Sequence, residues 1–518
     1  MSNNSVNNEV KNNKKNKVVD AITRKVDMRA GIICMIFAFY MMFGFGTICV
    51  KGYEAYDLYK WYLLVIGAGV FIAAIGLCNL PKLDKGVKYK MSVMDYILCA
   101  MIVSWSIACI SSVNRSSAIL GDMHRKTGLF YVGFTVIAAC LMARFMKHHF
   151  AVSIGFAVWT IITNILGIAQ YYGKDLFNWQ VYRQFTGLRS TFGNSNQYSA
   201  MCAIFLVVLI GIFIYEKNLP TLIITGVALI VDIIGGLAAS SASFYFVAFG
   251  VLVAIGFAFR NVEHLKRLWI ASVLIYAGLL IQRYFYNRTD DWQYFNEQIT
   301  LWIFNSRKFV IALGVMIAVL GVIVFLGKPV IDKYGVIVSR VWFVLCGLIL
   351  LTVIGLFIYV NKDSANIAED AFLYKFVIND NFGSGRGKIW REVLSAYKEA
   401  GIKDKLFGVG FDNIPRFNFC AEDYNAIGET VSDAHNAYID MLFNCGILGA
   451  GLYFALIITM IVKAVRGIKE NPAAAVTVIA AATYLAVILV NFNMNIFFPT
   501  CFMVMGYGMS FAKERGGE

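Results

Sequence analysis

The chain is poor in charge. Asp, Glu, Lys and Arg make up 15% of its 518 residues, where soluble domains carry roughly a quarter. With 59% hydrophobic residues and a mean hydropathy of +0.65, that shortage excludes a soluble globular protein of this size. Proline is scarce, at six; Pro220 and Pro472 stand where helices should begin, a position that needs no N–H. The eleven cysteines show neither disulfide nor metal spacing and fall mostly within apolar runs as small core residues. Cys420 is alone in the long polar segment. Alternation of polar and apolar residues is lacking, which excludes a transmembrane β-barrel. No internal repeat is visible, and this weakens an inverted-repeat transporter.

What the chain does have is continuous apolar runs. Crossing ~30 Å of hydrocarbon takes ~20 residues of helix. About fourteen candidates meet that length, near residues 28–50, 60–79, 94–113, 128–146, 150–172, 197–215, 219–238, 241–259, 267–283, 308–326, 339–360, 436–465, 472–491 and 494–512. The 267–283 run is short and the 219–259 pair divides in more than one way, so twelve or thirteen crossings remain open. The expected fold is an all-α polytopic membrane helix bundle. Residues 1–27, rich in Asn and Lys, read as a disordered cytoplasmic tail. Residues 28–360 hold helices 1–11, 361–434 form an extracytoplasmic loop, and 435–518 hold helices 12–14 and a short cytoplasmic tail.

The net charge of +14 invites a nucleic-acid reading, but its distribution gives a different one. With the N-terminus inside, the inner segments hold about 25 Lys and Arg, the short outer loops about 12 and the long loop about 9. This is the positive-inside rule, and the partner it implies is an anionic membrane surface. Both termini are then cytoplasmic.

The longest polar segment carries its own order. From Arg386 to Ala400, Ile389, Trp390, Val393, Leu394 and Tyr397 recur at helical spacing, which predicts an amphipathic helix along the membrane surface or over a cavity. A glycine-punctuated turn follows at Gly408 and Gly410. The segment ends in Asp433, His435 and Asn436, and Gly446 and Gly449 lie in the apolar helix after it. A second outer segment, 173–196, gathers Arg183, Arg189, Asn194 and Asn196 beside a helix start.

Five histidines are present. In this topology His148, His149 and His264 lie inside and only His124 and His435 outside, so the outer face lacks the convergent ligands of a zinc site. His435 could act as a general base, a role suited to imidazole chemistry, with Asp433 two residues away to orient it; a plain interfacial His is the bland alternative. Arg183, Arg189 and Arg386 could bind a diphosphate through bidentate guanidinium contacts, or simply snorkel to lipid headgroups. Asp232 falls inside an expected helix, where a charge is costly, so it should face protein or a cavity.

Together these segments resemble the bacterial O-antigen ligase and Wzy-type polysaccharide polymerase superfamily. The family's His-Asn-x9-Gly-x-x-Gly pattern is met by His435, Asn436, Gly446 and Gly449. Its Arg, aromatic amphipathic helix and Gly-x-Gly turn look like Arg386, Trp390, Gly408 and Gly410. Its Arg and Phe-Gly-Asn-x-Asn segment looks like Arg189, Phe192, Gly193, Asn194 and Asn196. One step departs: where many members carry Ser-Arg-Gly, this chain has Ser240-Ser241-Ala242-Ser243-Phe244, without an Arg.

The resemblance implies a bundle similar to a GT-C-type glycosyltransferase, with no cofactor or metal. Its donor would be an undecaprenyl-diphosphate-linked glycan, transferred at the outer face of the bacterial cytoplasmic membrane. Arg189 and Arg386, with Arg183, would neutralise the departing diphosphate, and His435 would orient or deprotonate the acceptor hydroxyl. The implied partners are the lipid bilayer, the lipid-linked glycan, its acceptor and other polysaccharide-assembly proteins, with no nucleic acid. Three activities stay open: a polymerase of repeat units into O-antigen or capsule, a ligase to lipid A core, protein or wall, and a lipid-glycan flippase.

Overall fold

The computed structural model describes residues 2–49, 55–122, 125–179, 188–286, 298–362, 367, 372–424, 430–493 and 495–511. Helix dominates them, and among the described residues there is no strand. Each of the fourteen apolar runs is helical. Ten helices are long and apolar enough to cross a membrane, while Leu129–Phe145, Ala242–Ala258 and Pro472–Val487 are shorter apolar helices. The protein is a multi-pass, all-α membrane protein. The two open points resolve: 267–283 lies within Val262–Tyr286, and 219–259 divides after Ala238.

Helix starts follow from the local sequence. Ser92 and Asp95 form a reciprocal capping box at the head of Val93–Ile110, with the Ser92 N–H donating to Asp95 at 2.6 Å. Asn194, Asn218, Asn436 and Asn471 each accept backbone N–H groups at the starts of their helices. Pro220 and Pro472 sit in the first helical positions, as expected from their missing donor.

The N-terminal segment departs from expectation. Instead of a disordered tail before residue 28, a single helix runs from Ser2 to Phe39. Once the apolar part is fixed against its neighbours, each added turn needs only propagation, without a new nucleus.

Ser195–Tyr215 is the central helix, buried along nearly its whole length. Around it pack Leu219–Ala238, Val247–Ala258, Val262–Tyr286 and Ala475–Val487. Arg307–Leu326 and Lys328–Lys362 lie at the periphery, with apolar side chains exposed on most faces. A helix apolar all round belongs in a core or in lipid, and these two have the second character.

Two buried ionisable groups in the bundle have polar partners. Lys60, 1% exposed, donates to the carbonyls of Phe45 at 2.5 Å and Ile48 at 2.7 Å, satisfying the end of the first helix. Asp232 is fully buried, as its position required, and accepts from Asn164 at 2.8 Å. The Asn164 carbonyl in turn accepts from Tyr198 at 2.8 Å.

Among its described residues, the 361–434 segment contributes Phe382–Glu399, Ile402–Phe407 and three short helices, Phe372–Phe376, Ile414–Phe417 and Ala421–Tyr424. The amphipathic helix is real, but its apolar face does not lie open for lipid. Ile389 and Val393 are buried with Ile414, Phe419, Cys420, Val431, Ala434 and Phe443, and Trp390 and Tyr397 pack against them. A satellite core seats the helix on the start of Ala437–Gly467.

Candidate functional site

Gly446 breaks the 437–467 helix. Its φ of 63° and ψ of −179° lie far from helical values, a backbone state open to glycine and disfavoured elsewhere. Two carbonyls before the break, those of Phe443 and Asn444, accept from the N–H groups of Val409 at 3.1 Å and Gly410 at 2.9 Å. The Gly-x-Gly turn thus stitches onto the broken helix. Gly408 and Gly410 both have positive φ, 85° and 94°, and a Cβ on Gly410 would lie 2.9 Å from Ser112 Cβ. Gly449 brings the lower part of the helix against Trp105, at 2.9 Å from an added Cβ.

The stitched segment fixes the residues just before the helix. Asn436 caps it, accepting from Tyr438 at 3.0 Å and Ile439 at 3.2 Å. Asp440, one turn in, accepts the Ala434 N–H at 2.7 Å. Trp390 donates its indole N–H to the Ala434 carbonyl at 2.8 Å. Both backbone groups of Ala434 are therefore held, and His435 follows directly.

His435 takes φ +52°, a left-handed state that His, Asn and Asp enter more readily than most residues. Asp433 stabilises it: one carboxylate oxygen accepts the His435 backbone N–H at 2.9 Å and faces Nδ1 at 2.9 Å. With the ring proton on Nδ1 toward that carboxylate, Nε2 carries the lone pair. The imidazole is 30% exposed and the carboxylate 8%. Burial alone would raise the Asp433 carboxyl, but the adjoining charges of His435 and Arg125 and the hydrogen bonds from His435 and Ser432 hold it well below the usual carboxylate range.

The structure adds Arg125 to this pair. Its Nε lies 3.2 Å from Asp433 Oδ2 and donates to Ser432 Oγ at 3.2 Å. The guanidinium stacks 4.3 Å over Phe492, whose ring meets His435 edge to face at 5.7 Å. Asp412 stands behind, accepting N–H groups from Asp122 at 3.0 Å and Thr127 at 2.6 Å. Burial pushes its carboxyl up from 3.8 to about 6, against the lowering effect of those bonds. Arg125, Thr127, Asp412, Ser432, Asp433, Asp440, Asn444, Phe492 and Asn493 line one cavity.

Of the other expected residues, Arg386 bonds to the segment before Phe492, and the described bond of Arg189 runs to a different helix. Arg386, the fifth residue of Phe382–Glu399, donates to the Val490 carbonyl at 2.6 Å, two residues before Phe492. Arg189 is tied through its backbone N–H to Gln170 at 3.3 Å, on the 150–171 helix. Asn194 and Asn196 have structural partners: Asn194 caps 195–215, and Asn196 accepts from Ser241 at 2.6 Å in the arginine-free serine step. Arg183 and His124 lie outside the described residues.

Arg125, Asp412 and Phe492 escaped the sequence reading. A cue was present for the first: His124, Arg125 and Lys126 cluster in a short loop where the charge rule disfavours cations. Asp412 and Phe492 had no cue beyond a turn and an interhelical bend.

Residues 298–454 match the family described as Wzy_C, O-antigen ligase. The matched stretch contains the amphipathic helix, the Gly-x-Gly turn, His435 and the Gly446 break, and it supports the O-antigen ligase/polymerase superfamily. No curated protein matches the chain.

Proposed function

We propose that this chain is a glycosyltransferase of the O-antigen ligase/polymerase superfamily that joins polyprenyl-diphosphate-linked repeat units at the outer face of the cytoplasmic membrane. The observation that carries the reading is the Asp433–His435 pair: a carboxylate facing Nδ1 orients the ring and leaves the Nε2 lone pair to accept a proton. The acceptor hydroxyl gives its proton to Nε2 as its oxygen bonds to the anomeric carbon. The bond from that carbon to the diphosphate breaks, and its electron pair leaves on the phosphate oxygen. A single displacement inverts the anomeric centre.

The donor's leaving group needs positive charge. Arg386 donates to the Val490 carbonyl, two residues before Phe492, and a guanidinium matches phosphate oxygens in pairs. Arg189, with Arg183, supplies further positive charge along the donor. Developing negative charge on the diphosphate is then met by fixed cations.

Ligation to a different acceptor uses the same chemistry and differs only in the nucleophile. The test is product size. Purified wild type and His435→Ala are each given a polyprenyl-diphosphate-linked repeat unit. A ladder made by the wild type alone supports a polymerase with His435 essential. A single product that forms only when lipid A core, protein or wall acceptor is added makes it a ligase. Assembly unaffected by His435→Ala and Arg386→Ala ends the enzyme reading and favours a flippase.

A further inference from the structure

Asp433 divides its two oxygens between two partners. Oδ1 serves His435, through the backbone N–H at 2.9 Å and Nδ1 at 2.9 Å. Oδ2 accepts from Ser432 Oγ at 2.8 Å and faces Arg125 Nε at 3.2 Å. Phe492 joins both ends, with the guanidinium over its face at 4.3 Å and the imidazole at its edge. The cation comes from the loop before Leu129–Phe145, some 300 residues away in sequence. We propose that Arg125 is the positioning residue of this site: it turns Asp433 so that one oxygen orients His435, and its charge opposes that of the carboxylates around the pair. The inference rests on the reading of His435 as the base.

The pair stands among further carboxylates. Asp440 from the 437–467 helix, Asp412 from the glycine turn and Asp57 from the start of the 56–84 helix all act on this cluster electrostatically. Among the described residues lining the cavity, Arg125 is the one Lys or Arg. Arg386 is not among those lining residues and donates to the Val490 carbonyl at 2.6 Å. Without Arg125, the remaining carboxylates would favour imidazolium, and a protonated His435 accepts nothing from a hydroxyl.

The test is a titration of His435 by NMR in full-length, histidine-labelled protein in nanodiscs, assigned by difference from His435→Asn. Arg125→Gln should move the midpoint up by about one pH unit or more, and Arg125→Lys, which keeps the charge, should move it less. Asp433→Asn should move it down. The acid limb of the pH–rate profile should follow in the same directions. A structural tie alone would lower stability and leave the midpoint in place, so an unmoved midpoint in folded Arg125→Gln overturns the proposal. If Arg125→Gln does not fold, a midpoint in Asp433→Asn that fails to drop overturns it instead. A shifted midpoint with no turnover by the wild type overturns the reaction and leaves the positioning intact.

Discussion

Gly408 and Gly446 interlock main chain against main chain. A Cβ on Gly408 would strike the backbone of Asn444 and Cys445, and one on Gly446 would strike Leu406 and Phe407. Each glycine makes room for residues just before the other. This contact holds the broken helix and the glycine turn together, and the loop carrying His435 is built on it.

Gly408→Ala and Gly446→Ala should therefore both destabilise the protein. Each adds positive-φ strain of about 1–3 kcal/mol to a clash that rigid backbone cannot relieve. Thermal unfolding in nanodiscs should show a drop of several degrees for both. Gly451→Ala is the control: an added Cβ there meets nothing within 4 Å, and alanine is the better helix former. A Gly446→Ala protein as stable as the wild type would refute the interlock.

His435→Asn separates the imidazole from its backbone. Asn tolerates left-handed φ better than Ala, so the +52° conformation persists at little cost. The variant should melt close to the wild type and yield no glycan product. Product at more than a few per cent of the wild-type rate would remove His435 as the base.

Arg386→Lys tests the diphosphate contact. Lysine keeps the charge and loses the planar pair of donors, so turnover should fall at least tenfold, about 1.4 kcal/mol in the barrier. The Val490 bond at 2.6 Å is to a backbone carbonyl, which a lysine can also reach. Near-normal turnover would take Arg386 out of the clamp.

Asp412 sets a pH dependence of stability. Its folded carboxyl is raised from 3.8 to about 6, so between those values the folded state binds more protons than the unfolded state. Stability should fall as pH rises from about 4 to about 6, by at most about 1.4 kcal/mol per pH unit, and be flat in this respect above that. Asp412→Asn fits the same contacts, with its carbonyl accepting from Asp122 and Thr127 and its amide meeting Thr127 Oγ1. Denaturant unfolding across that window should lose the slope in the variant.

The bundle was legible because its signals are local. Twenty-residue apolar runs, Asn and Ser caps and the charge bias each act over one helix, and all fourteen runs became helices. The His-Asn pair and its glycines could also be read in sequence. What could not be read was pairing across distance. Arg125 meets Asp433 from another loop, and Phe492 joins them from a bend between helices; neither pattern has a period. The amphipathic helix was visible as a helix, but its partner was not. Its stripe of Ile389, Val393 and Tyr397 fits lipid or protein equally well, and Phe419 and Phe443 make it protein.

The break at Gly446 also divides length. The stretch from Ile447 to Gly467 rises ~31 Å at 1.5 Å per residue, enough to cross the hydrocarbon unaided. The nine residues from Ala437 to Cys445, ~14 Å of helix, are surplus to that crossing. In the proposed reaction they would serve as a pedestal, setting His435 beyond the stretch that crosses the hydrocarbon, toward a lipid's diphosphate and first sugar.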